Sequence, residues 1–299
     1  MLPFLKGLLT GMAFGVVLYK VGASRYSRVM GMLTLRDTKV MKFAFFAIAV
    51  ASCWYGLAAV LGVAESWSLV PRVMPFIGWA HVVGGVLFGA SMGYVGFCPG
   101  TCAASVGGGS GAKKYTGLFA VMGLVAGVLV YAGIKDWLTQ VGIIAEIALP
   151  ITLHGWLGVS YGPLALAWAA LFTLIALVID RVSNEKIFKS SEETRSLIGL
   201  IRGEWSWVVS GFLGGTLIVL ATAQDGYLGF SGAVLAAVGW ASHLIGMPIS
   251  LVPRIESDII WRAALIVGVF PGGLLAKVLS IPSMAAVQEP LNKVAHRGI

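Results

Sequence analysis

Charge is scarce in this sequence. Acidic and basic residues fill 11% of its 299 positions, against roughly 25% in an ordinary soluble domain. With 58% hydrophobic residues and a mean hydropathy of +0.89, the chain reads as a polytopic membrane protein, all α-helical. Cysteine is also sparse. Cys53, Cys98 and Cys102 are too few for a disulfide framework, and no Cys/His spacing fits a zinc site. Cys98 and Cys102 form C-x3-C, not the C-x-x-C of thiol oxidoreductases. No ATP-binding motif and no haem or quinone signature occurs, so neither cofactor nor metal is expected. The net charge of +8 is not gathered in a basic helix or an aromatic-basic motif. That excludes nucleic acid and leaves the bilayer as the partner of this charge.

Glycine, by contrast, is abundant. Forty glycines favour closely packed helices. Spans of about 20 apolar residues are expected at 4–22, 40–62, 74–97, 115–133, 161–180, 205–223, 231–252 and 260–280. The segment 141–159, broken by Glu146, Pro150 and His154, reads as a re-entrant or interfacial piece or as a ninth span; a ninth span would put the basic 181–202 loop outside, which favours the re-entrant reading. Lys20, Arg25 and Arg28 crowd any cleavage point after the first apolar run, so 4–22 is kept as a span and not a signal peptide. With eight spans and the N-terminus outside, 15 of the 21 basic residues fall on one side, Arg254 and Arg262 among them. The bias fits the positive-inside rule. It predicts a single integral membrane domain over 1–299, with a first half at 1–140, a connecting region at 141–202 and the remainder at 203–299.

The stretch Gly84 to Gly111 organises the rest. Gly85, Gly89 and Gly93 recur every four residues and form one stripe on a helix, with His81 a turn earlier. The helix then breaks at Phe97-Cys98-Pro99-Gly100-Thr101-Cys102 while the sequence is still apolar. Broken backbone at membrane depth belongs where it lines a cavity, so a pore or binding site is expected at Cys98. The pattern G-x-x-F-G-x5-V-G occurs twice, at Gly11 and again 74 residues later at Gly85. Ser24 falls where Cys98 stands in the second copy. A weaker echo pairs Phe212-Leu213-Gly214-Gly215 with Phe270-Pro271-Gly272-Gly273. Such repeats mark transporter folds whose site lies where broken helices meet.

Pro99 suits the first position of a short half-helix, with Cys98 as its N-cap. The free N–H groups of Gly100, Thr101 and Cys102 would then point into the space beside Cys98 and favour an anion. Weak S–H donors with backbone N–H groups suit a soft, sulfur-bearing anion. The bland reading makes Cys98 and Cys102 small buried hydrophobes. His81 and His243 are intramembrane ionisable residues, either functional or simply bonded to backbone carbonyls.

At G-F-C-P-G-T the sequence resembles the YeeE/YedE family of sulfur-transport proteins of the bacterial inner membrane, most strongly over Gly84 to Gly111. The resemblance implies thiosulfate import through a fold of pseudo-symmetric halves whose short re-entrant segments meet near the centre. It implies Cys98 as the central thiol contact, flanked by Pro99, Gly100, Thr101 and Cys102. His81 and Ser24 complete the expected substrate-binding set. Ser24 occupies the position of a family cysteine, and no cysteine exists in the second half. A cytoplasmic sulfur-carrier protein is the expected soluble partner. Two other classes remain open: a thiol oxidoreductase using Cys98 and Cys102, and a non-transporting subunit that anchors a partner through the loop 181–203.

Overall fold

A computed structural model describes residues 1–109, 112–144, 152–183, 201–224 and 226–280. Among them the chain is helical: α1 (Leu2–Val21), α2 (Tyr26–Leu33), α3 (Lys39–Val60), α4 (Ala80–Val95), α5 (Pro99–Gly108) and α6 (Ala112–Gln140). Then follow α7 (Leu153–Leu157), α8 (Tyr161–Val182), α9 (Trp207–Thr222), α10 (Phe230–Leu244) and α11 (Ser257–Leu279). Six apolar stretches are long enough to cross a membrane, and α9 and α10 are shorter apolar helices. The chain is a multi-pass membrane protein.

Glycine sets the packing. Cβ atoms added at Gly7, Gly11 and Gly15 would lie 2.2, 2.1 and 2.5 Å from the carbonyl oxygens of Trp261, Leu265 and Val269. The reverse holds at Gly268 and Gly272, whose added Cβ atoms would each lie 2.2 Å from the carbonyls of Leu8 and Met12. Backbones this close are the small-residue packing of membrane helices. The matched numbering also shows that α1 and α11 run parallel. A second parallel pair, α3 with α9, is built alike: Gly211 faces Phe43 and Phe46, and Gly215 lies 2.5 Å from the Ala47 carbonyl by the same measure. The echo between residues 212–215 and 270–273 therefore has a physical use, one glycine-packed seam in each pair.

Helix α8 closes on α3, with Gly162 against Val60 and Gly56 against Leu166. At its other end Asp180 receives Lys42 Nζ at 2.9 Å and the Trp207 indole N–H at 3.1 Å. This buried charge pair ties α3, α8 and α9 together. Ile143 accepts from Ala80 N–H at the start of α4, and α8 begins beside the end of α3. Residues 143 and 162 therefore lie on one side; 145–151, with Glu146 and Pro150 among them, lie outside the described residues. The loop at 184–200 lies outside them too.

Two expectations need correction. Helix α10 ends at Leu244, not near 252, and its 15 residues extend only about 22 Å, short of the ~30 Å hydrocarbon core. It does not cross, so α11 descends parallel to α1 and Arg262 lies on the Met1 side. Lys277 lies toward the other side, where its Nζ donates to the Gly109 carbonyl and Lys20 Nζ reaches Ser280. The second correction is the stripe on α4. Added Cβ atoms at Gly85, Gly89 and Gly93 would meet nothing within 4 Å, and α4 contains no buried residue.

Candidate functional site

Both copies of the sequence repeat end their helix in the same way. Gly22 and Gly96 are left-handed C-caps, at φ 89° and 71°, the conformation in which a side chain is strained. A short helix restarts within four residues in each copy, α2 in the first and α5 in the second. They differ in depth. Helix α5 is buried from Gly100 to Ser105 and packs on α1 and α11: Gly107 abuts the Phe270 carbonyl, and Gly108 abuts the Tyr19 ring.

Cys98 is the N-cap of α5 and Pro99 its first residue. The cap is reciprocal. Thr101 Oγ1 accepts from Cys98 N–H at 2.8 Å, and the Cys98 sulfur in turn accepts from Thr101 N–H. Thr101 hydroxyl also lies 3.0 Å from the Cys98 carbonyl and 3.3 Å from its Sγ. Cys102 N–H donates to the same carbonyl at 2.9 Å. The three free donors expected from sequence are thus reduced. Thr101 and Cys102 turn back onto Cys98, Pro99 has no N–H, and Gly100 keeps its own. Because Thr101 approaches Sγ as a donor, the Cys98 thiol proton is left to point elsewhere.

The partner of this tip is the start of α10, which the sequence did not single out. The Phe230 ring rests on Gly100, where an added Cβ would be 2.7 Å from Cδ2. It also packs on Phe14 at 5.3 Å between ring centres, inside the membrane-spanning length of α1. From there Trp240 reaches Phe4 at 6.3 Å, so α10 runs toward the Met1 side, whereas α5 runs toward Tyr19 and Lys277. The N-terminal ends of two half-helices therefore meet head to head at depth. Each carries the partial positive charge of a helix start.

A cavity of about 1490 Å³ opens beside this junction. Its wall includes Pro99 and Cys102, and also Arg72, Tyr227 and Arg262. Phe97 lies beside Tyr26, whose ring meets it edge-on at 6.2 Å and blocks any side chain at Gly96. Cys102 is buried and Cys98 half-buried. Ser24 lies in the turn between α1 and α2, two residues before Tyr26. His81 is not brought to this group. It is exposed at the far end of α4, stacked on Phe76 at 5.2 Å, with Nδ1 accepting from Ile77 N–H. His243 bonds the Val252 carbonyl at 2.8 Å, the bland reading of an intramembrane histidine. Cys53 is half-buried within α3.

On the Lys20 side, Glu204 gathers Arg25, Arg28 and Lys39, with Lys39 Nζ at 2.9 Å. Burial alone would raise its pKa, but Lys39 and the two guanidiniums outweigh it and hold the carboxyl below its usual range. This cluster fixes the α1–α2 turn beneath Tyr26.

The family model described as sulphur transport matches residues 25–292. The thiosulfate transporter TsuA of Spirochaeta thermophila is 28% identical over 193 residues, 61% of this chain. That match spans 56% of the relative's own length.

Proposed function

The chain belongs to the sulphur-transport family, and from that premise we propose that it is an inner-membrane permease for a small sulfur anion, thiosulfate by preference. The observation that carries the reading is the meeting of two half-helix starts at depth, with a thiol capping one of them. Two positive helix ends hold an anion without a fixed charge, which lets it leave again. Cys98 then supplies a soft S–H donor to the terminal sulfur of the anion. The Phe230 ring over Gly100 is the constriction it must pass. Gly100 N–H, Pro99, Thr101 and Cys102 shape the tip; Ser24 stands on the departure side near Tyr26. His81, remote from the tip, has no part in this proposal.

The Lys20 side is cytoplasmic in this reading, by its excess of lysine and arginine. A soluble sulfur carrier would dock there. TsuA carries the word thiosulfate in its name; the extension to this chain is the proposal.

The test is uptake of labelled thiosulfate in cells lacking other importers. Wild type is expected to accumulate label, and Cys98→Ala to lose at least tenfold in rate, the scale of one ~1.4 kcal/mol contact. Equal uptake by properly inserted Cys98→Ala would remove the thiol from the mechanism.

A further inference from the structure

We propose that Arg72, Arg262 and Tyr227 form an outer capture site that binds the oxygen face of a tetrahedral oxyanion, separate from the thiol at Cys98. The proposal rests on the transport reading above and names the group that meets the anion first. Among the described residues of the cavity wall, two side chains are charged. Both are guanidiniums, both sit at the Met1 end, and no carboxylate lines the wall.

The Arg72 guanidinium carbon lies 4.4 Å from the centre of the Tyr227 ring, and that of Arg262 lies 5.0 Å from it. Arg262 Nη1 donates to the Tyr227 hydroxyl at 2.5 Å, which leaves the phenolic hydrogen free to donate into the cavity. Arg262 is matched by Asp258, one turn earlier on α11. Among the described residues no carboxylate pairs with Arg72. Among the described residues the group thus keeps a surplus positive charge around one aromatic ring; Asp225, two residues before Tyr227, lies outside them. Both guanidiniums lie within about 5 Å of that ring's centre, and an anion that contacts them offsets their like charge.

The site also abuts the first turn of α10. A Cβ added at Gly232 would lie 3.4 Å from the Tyr227 hydroxyl and 3.9 Å from Arg262 Nη1. The helix start adds its partial charge to the two guanidiniums. All the donors here are N–H or O–H, and the planar guanidinium fork matches paired oxyanion oxygens. None of them selects sulfur over oxygen. The capture site therefore accepts sulfate as well as thiosulfate, and discrimination falls to the thiol deeper in.

The experiment reconstitutes the full chain in liposomes and follows labelled thiosulfate uptake with and without sulfate outside. Sulfate is expected to raise the wild-type KM competitively without being carried. Arg72→Gln is expected to raise KM about tenfold, the size of one charge-assisted contact, with the maximal rate kept. It should also abolish the sulfate inhibition, and Arg72→Lys should fall between. Arg72 is exposed and, among the described residues, holds no carboxylate, so its replacement is expected to leave the fold intact. Unchanged KM and unchanged sulfate inhibition in Arg72→Gln overturn the site. If wild type takes up no thiosulfate, the transport reading fails, and calorimetric binding of sulfate to the purified protein decides the site alone. Binding lost in Arg72→Gln upholds it; no binding by wild type overturns it.

Discussion

Helices α1 and α4 carry the same glycine spacing, three residues four apart, and the fold uses them in opposite ways. On α1 each of Gly7, Gly11 and Gly15 lies against a carbonyl oxygen of α11. On α4 Gly85, Gly89 and Gly93 meet nothing within 4 Å, although Gly85 and Gly89 are the repeat's counterparts of Gly11 and Gly15. The difference lies in the partner. Helix α11 has Gly268 and Gly272 in reciprocal register with Leu8 and Met12, so two backbones can sink into each other. Among the described residues, α4 finds no such complement. A stripe thus records that close approach is possible; a pair of complementary stripes records that it occurs.

The comparison can be broken or sharpened by substitution. The largest effect is expected from Gly11→Leu. Its Cβ alone would lie 2.1 Å from the Leu265 carbonyl, a backbone atom that cannot move without the helix. The expected outcome is no monodisperse protein on size exclusion after extraction. Gly272→Ala, facing the Met12 carbonyl at 2.2 Å by the same measure, should still fold but lose about 1–3 kcal/mol by overpacking, read as a lowered thermal midpoint in detergent.

A smaller effect contrasts the ends of the two helices. The Lys20 end of α1 is held through the Glu204 cluster, whereas α4 ends at Gly96 against the Tyr26 ring. Glu204 has a folded pKa below its ordinary 4.5. Its contribution is therefore present above 4.5 and lost as pH falls through the lower folded value. Midpoints measured from pH 6 downward should fall more steeply in wild type than in Glu204→Gln, which has no carboxylate to protonate.

The smallest effect, and the one of opposite sign, is expected on α4. Gly89→Ala has open space for its methyl and gains helix propensity, so it should be neutral or stabilising by up to ~1 kcal/mol. A loss as large as that of Gly272→Ala would mean that α4 packs on another chain in the membrane.

Much of this was legible in the sequence. Pro99 in apolar surroundings announced a half-helix with Cys98 at its cap, because proline fits the first turn and little else inside a helix. The repeat set Gly22 beside Gly96, and the left-handed caps at both are the structural counterpart of that match. Three features were not legible. The stretch 245–252 is as apolar as a span, so hydropathy could not show that α10 stops at Leu244; that single error reversed α11 and moved Arg262 to the wrong side. The donors of Thr101 and Cys102 were expected to be free, yet a capping box is a matter of local rotamers that spacing does not reveal. The start of α10, with Gly229 as cap and Phe230 over Gly100, carries no cysteine or proline to mark it. Tyr227 and its two arginines come from three separate segments, which only the folded chain assembles.

The central claim is that the anion passes the tip of α5 in contact with Cys98. It is tested most directly by alkylating Cys98 with a maleimide in a Cys53→Ser, Cys102→Ser background, with and without thiosulfate. The account predicts that thiosulfate slows the labelling of Cys98 in a saturable manner. Labelling at the same rate at every thiosulfate concentration would contradict it.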